Sequence, residues 1–322
     1  MRAFALPLLR RNPREIARRA GRFAIRTEAG RSLVARLGEA FIGGYNAMLT
    51  LPGLDGVAAA GRRIAPHERP FFFEGAAMGY LPRGYFSRGL RAQSSERNLL
   101  AIDPAFRYLY YVGLGFWYGM RHPFRPSALE RLVPHLDPLY SPLCYDGYGF
   151  KVGFFDFARR PGAVRRLALA PEKVAPAIYQ GFGRALFFVF MDDPRGFEEV
   201  KRSLPSRAED LEQGRALALG FTGIDRPGLL LDHLAGAAGE GELAARLTGL
   251  TWALTAREMN DPAYFESCLS SLPGRERGRL RRLPALCRDA LGVSKSYFEW
   301  QGRTRTLALE GWTGSVGQSG NG

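Results

Sequence analysis

Four polar side chains, Glu74, Asp146, Gln180 and Gln213, each stand immediately before a glycine in an otherwise small and apolar stretch. The two carboxyls could do general acid–base work if burial raised their pKa values, since desolvation disfavours the charged form. Arg184, four residues after Gln180, could pair with Glu74, Asp146 or a ligand carboxylate, because a guanidinium binds a carboxylate through two parallel hydrogen bonds. Glu74, Asp146 and Arg184 are therefore the catalytic candidates. Gln180 and Gln213 are ligand-binding candidates, together with Phe116, Trp117, Tyr148 and Phe182, whose ring faces would suit a flat, conjugated, apolar ligand. The alternative is structural. The polar groups would then bond to backbone beside the glycines or to one another across adjacent helices, and the aromatics would be core.

Other chemistries find little support. His67, His122, His135 and His233 form no metal-ligand spacing, and Cys144, Cys268 and Cys287 contain no CxxC pair. Neither a metal nor a disulfide framework is expected, and a reducing compartment fits. No nucleophile elbow, P-loop or HExxH occurs. Gly113-Leu114-Gly115 resembles half a dinucleotide fingerprint, but the third glycine and a preceding strand are missing, so no cofactor is expected.

The glycines that follow these polar groups return with a period. Central small positions fall at Gly44, Gly75, Gly113, Gly147, Gly181, Gly214 and Thr251, in steps of 31, 38, 34, 34, 33 and 37 residues. Such a period marks repeated supersecondary units. Alternating strand patterns are scarce, and Pro and Gly punctuate long and short helical stretches. The expected fold class is all-α, with helix-pair repeats of about 34 residues forming a solenoid or a closed helical barrel. The apolar runs Phe71–Phe73 and Phe106–Phe116 are placed on helices by their repeat position. Glu240 to Asn260 reads as one long helix. Ser206 reads as an N-cap with Glu209 completing a capping box. A glycine inside a helix costs ~1 kcal/mol relative to Ala, so the pattern needs a compensating gain. Either neighbouring backbones approach closely, or the missing side chains leave room for a ligand.

Three segments follow from composition. Residues 1–36 form a basic amphipathic segment, helical from Pro13; it either contacts a membrane surface or an acidic partner, or packs on the first repeat. Residues 37–292 form the repeat domain. Residues 293–322 form a C-terminal extension, in which Ser296 to Trp312 adds a strand or capping helix and the Gly- and Ser-rich tail is disordered. The net charge of +14 is carried mostly by arginine spread over a Gly-, Ala- and Pro-rich chain, which reads as codon bias more than as selection for nucleic acid. No stretch approaches the ~20 apolar residues of a membrane span, and the start is a poor secretory signal, so a cytoplasmic location is expected.

The segments Phe73-Glu74-Gly75-Ala76-Ala77-Met78, Tyr111-Val112-Gly113-Leu114-Gly115-Phe116, Asp146-Gly147-Tyr148-Gly149-Phe150 and Gln180-Gly181-Phe182-Gly183-Arg184, in this order, resemble the UnbL-like family found in enediyne polyketide gene clusters. The resemblance spans roughly residues 31–288. It implies a biosynthetic context, the maturation of a linear polyene toward an enediyne core, and no reaction. Taken with the space left by the glycines and with the aromatics, the expectation is an accessory protein that binds an apolar polyene intermediate and cyclises, rearranges or chaperones it, with the polyketide synthase or cassette proteins as partners. It assigns no catalytic residue. The rival expectation is a non-catalytic helical-repeat scaffold that docks biosynthetic proteins, with a peripheral membrane contact through the basic segment.

Overall fold

The computed structural model describes residues 6–85 and 92–317, and among these no strand occurs. The chain divides into two units, residues 1–203 and 204–322.

The first unit holds α1 (Arg14–Ala20), α2 (Glu28–Thr50), α3 (Gly53–Arg62), α4 (Arg69–Gly84), α5 (Ser95–Leu100), α6 (Arg107–Arg121), α7 (Leu143–Lys151), α8 (Ala175–Val189) and α9 (Pro194–Ser203). Tight 3₁₀ segments lie between α6 and α7 and between α7 and α8. α7 runs on into a π-helical turn, Val152–Phe157. The helices start where local chemistry allows it. Thr27 caps α2 by accepting from the Gly30 amide at 3.2 Å, which satisfies one of the orphan donors of a first turn.

α2, α4, α6, α7 and α8 pack against one another in chain order, and the periodic glycines make the seams. A Cβ on Gly75 would overlap the Phe41 carbonyl of α2, and one on Gly113 the Glu74 carbonyl of α4. Gly115 and Gly147 face the Cys144 and Val112 carbonyls across the α6–α7 seam, and Gly149 and Gly181 face the Ile178 and Asp146 carbonyls across the α7–α8 seam. Residues two apart on a helix point ~200° apart. One small residue therefore serves the preceding helix and the next serves the following helix. The compensating gain is close backbone approach, with Cα–H pointing at carbonyl oxygen, and these seams are packed solid.

The N-terminal segment spends its apolar face on the protein. Ile16 and Ala20 are buried while Arg10, Arg14 and Arg18 are exposed, and Ile16 fills the space above Gly38 of α2. The Asn46 side-chain amide accepts from the Arg11 amide at 2.9 Å and donates to the Arg11 carbonyl at 2.8 Å. Farther on, the Ala24 amide donates to the Val189 carbonyl at 2.8 Å. Asp192 accepts from the Arg26 and Thr27 amides at 2.7 and 2.9 Å. Residues 11–27 thus tie the start of the helix array to its end.

The second unit holds α10 (Ala208–Thr222), α11 (Gly228–Ala235), α12 (Glu240–Asn260), α13 (Pro262–Leu269), α14 (Gly274–Gly292) and α15 (Tyr297–Gly317). Its core gathers Leu247, Leu250, Leu254, Phe265, Leu280 and Ala308. Gly249 repeats the seam device, facing the Gln213 carbonyl. One expectation is corrected. Ser206 lies inside a 3₁₀ turn, Pro205–Arg207, and no side chain caps α10, because the chain enters the helix already turning. Of the strand or capping helix expected over Ser296 to Trp312, the helix is what forms, from Tyr297 onward, with Trp300 and Ala308 buried. The tail expected to be disordered is helical as far as Gly317; residues 318–322 lie outside the described residues.

Candidate functional site

Glu74 on α4, Asp146 on α7, and Gln180 and Arg184 on α8 come together on one face of the first unit. The seam geometry forces this. Gly75, Gly147 and Gly181 all point at the preceding helix, so the residue before each, turned ~100° away, points to a common side. Arg184 joins because it lies four residues after Gln180, on the same helix face.

The cluster is deeply buried: Asp146 and Gln180 are 0% exposed and Glu74 is 3% exposed. Asp146 Oδ2 accepts from Gln180 Nε2 at 2.8 Å, and its Oδ1 is paired with the Arg184 guanidinium. That guanidinium also lies over the Phe150 ring, 5.1 Å from its centre. The Glu74 carboxyl is pushed up to about 7, raised mainly by burial, pulled down by Arg184 and raised again by the Asp146 charge. Burial raises Asp146 too, against the pull of Arg184 and Gln180. The group holds two carboxyls against one guanidinium. A buried site of that composition keeps one proton until near neutrality, and Glu74, which lacks the direct donors that Asp146 has, is the carboxyl that carries it.

Phenylalanines wall the same face. Phe41 and Phe116 lie 5.1 Å apart, Phe116 and Phe155 5.5 Å, and Phe150 stacks on Phe154 at 5.4 Å. The π turn supplies Phe154 and Phe155. The N-terminal segment closes on them, with Phe23 edge-on to Phe154 at 4.9 Å and the Arg19 guanidinium 4.8 Å above Phe155. A separate open cleft of about 550 Å³ on the same unit, to which no member of the Glu74 cluster contributes, is lined by Phe157, Val164, Val189 and Phe190 together with Arg22, Asp193 and Glu199.

The other candidates lie elsewhere. Tyr148 and Phe182 follow Asp146 and Gln180 by two residues and so face the opposite side. Tyr148 is fully buried and donates to the His122 carbonyl at 2.9 Å, and Phe182 packs edge-on against Phe157 at 5.3 Å. Trp117 is half-buried one position past Phe116. Gln213 belongs to the second unit, where Gln301 Nε2 donates to its Oε1 at 3.1 Å.

Two ionic clusters were missed from sequence. Lys151 and Arg166 both donate to Asp156 Oδ2 at 2.7 Å, and burial pulls the Lys151 ammonium below its ordinary value. The five-residue spacing of Lys151 and Asp156 belongs to a π turn, which a 3.6-residue period does not reveal. In the second unit, buried Arg246 reaches Glu212 at 3.4 Å and pairs with Glu242. The 34 residues between Glu212 and Arg246 repeat the separation of Asp146 and Gln180, so the period could have found them.

Among the described residues no group of three or more His, Cys, Asp or Glu side chains is placed to hold a metal ion, and no helix is long and apolar enough to cross a membrane. A family model for a protein of unknown function, DUF1702, matches residues 2–276. The chain belongs to that family. No curated protein and no solved structure matches it. The match covers all of the first unit except Met1, including every member of the Glu74 cluster, and stops at the start of α14.

Proposed function

We propose that this protein is an UnbL-like member of its family and serves enediyne-type polyketide biosynthesis by binding an apolar polyene intermediate in its first unit. There Glu74 passes a proton to or from the ligand during a cyclisation or rearrangement that needs no redox cofactor. The observation that carries the reading is the Glu74 carboxyl, 3% exposed and pushed up to about 7. A general acid or base works best with a pKa near the working pH. The phenylalanine walls suit a conjugated chain. In the same reading the alternation of long and short helices is a helix-pair repeat, curved so that Glu74 and Asp146 converge across α6.

The test is metabolite profiling of a producing strain carrying Glu74→Gln or Asp146→Asn. Loss of the matured product with accumulation of a linear precursor supports the reading. Unchanged product with either variant removes the acid–base role.

One observation favours the scaffold as the second reading. The glycine seams are packed solid and the face they create is filled by rings, as in a body whose task is to be held rigid. A scaffold tolerates Glu74→Gln and loses function only when a docking surface is changed.

A further inference from the structure

Where the segment matched by the family model ends, at the start of α14, α14 and α15 form a cleft. Arg275, Arg279 and Arg282 fall on one face of α14, at spacings of four and three residues, and line a cleft of about 270 Å³ with Trp312 of α15. Arg275 and Arg282 are exposed. Arg279 is held in place: its guanidinium lies 3.6 Å from the centre of the Trp312 ring and donates to the Trp312 carbonyl at 3.0 Å. Burial and then the like charge of Arg275 press Arg279 below its ordinary pKa, with Glu276 pulling the other way, and an anion between the arginines would relieve the remaining cost. No carboxylate lines the cleft.

The glycines here behave unlike those of the seams. Gly274 and Gly278 also line the cleft, and a Cβ at either would meet nothing within 4 Å. Packing does not explain Gly278 inside a helix. What its missing side chain leaves is open depth between the arginines.

We propose that this cleft binds the phosphoryl group of a small, soluble phosphate monoester. Arginine forks match phosphate oxygens, and several arginines suit a dianion better than a single carboxylate. The volume lies below the ~300 Å³ at which drug-sized sites begin, so it takes a phosphoryl group on a short carbon chain. A soluble source is favoured over a lipid headgroup, because none of the exposed large hydrophobic residues described borders the cleft to enter a bilayer.

The experiment is calorimetric titration of the full chain with glycerol 3-phosphate, with glycerol and inorganic phosphate as parallel arms. The expected result is saturable binding of glycerol 3-phosphate and of phosphate, with none for glycerol. Arg275→Gln/Arg282→Gln weakens binding at least tenfold, and Gly278→Leu, whose Cβ meets nothing within 4 Å and whose longer side chain extends into the cleft, abolishes it while the circular dichroism spectrum stays unchanged. Absence of saturable binding at millimolar ester overturns the proposal, as does equal affinity in the Gly278→Leu protein. Binding to vesicles containing phosphatidic acid without binding to the soluble ester overturns it in favour of a lipid surface. None of these readouts depends on Glu74, so this proposal and the proposed function fail independently.

Discussion

Gly181 packs its Cα against the main-chain carbonyl of Asp146, and the side chain of that same aspartate is held by Gln180 and Arg184, which lie on either side of Gly181 on α8. Seam and site are therefore one construction: the close approach that only glycine permits brings the α8 amide and guanidinium within reach of the α7 carboxylate.

Gly181→Ala forces a methyl group into the Asp146 carbonyl. Overpacking of this kind costs about 1–3 kcal/mol, and the polar cluster loosens with it. Gly278→Ala meets nothing and gains up to about 1 kcal/mol from helix propensity. Urea unfolding of the two variants checks the contrast. Equal stabilities would show that the seams are not tight.

Much of this was legible in the chain. The 34-residue period placed Glu74, Asp146 and Gln180 on equivalent positions, and α12 runs from Glu240 to Asn260 as read. The purpose of the glycines was not legible, because a missing side chain reads the same whether backbone or ligand takes its place. Nor was the pairing of Lys151 with Asp156, which depends on a π turn. Nor was the helix face of Tyr148 and Phe182 legible from aromatic type; two residues past Asp146 and Gln180, they face away from the Glu74 cluster, toward the His122 carbonyl and Phe157.

The raised Glu74 carboxyl makes a pH prediction. Its folded pKa, about 7, lies above the ordinary 4.5, so the folded state binds the proton more tightly than the unfolded state. Stability from this group is then greatest below pH 4.5 and is lost as pH rises toward 7. Glu74→Gln keeps the neutral shape and removes that loss. The variant should gain stability relative to the wild type between pH 5 and 8, by on the order of 3 kcal/mol at the upper end. Denaturant unfolding across that range checks it; a difference that does not change with pH would place the Glu74 pKa at its ordinary value.

Removing either partner should move the Glu74 titration in opposite directions. Arg184→Met deletes the charge that holds it down, so its midpoint rises above about 7. Asp146→Asn deletes the charge that pushes it up, so its midpoint falls. Both variants break a buried pair and lose about 3–5 kcal/mol. Carboxyl NMR of a protein labelled at glutamate reads the midpoint directly.

The N-terminal segment should open locally when its anchor is cut. Asn46→Leu removes both hydrogen bonds to the Arg11 backbone and leaves those groups to water. Hydrogen exchange at the Arg11 amide should accelerate at least tenfold while α4 and α6 keep their protection. Simultaneous acceleration in α4 and α6 would mean that residues 11–27 unfold only with the whole unit.

The central claim is that Glu74 moves a proton on a bound ligand. The most direct measurement compares the metabolites of a producing strain carrying Glu74→Gln with those of the strain lacking the whole protein. The account predicts that the two profiles match, while the Glu74→Gln protein accumulates to wild-type levels. A wild-type profile from the Glu74→Gln strain, alongside loss of product in the deletion strain, would contradict it and leave the helical array as a scaffold.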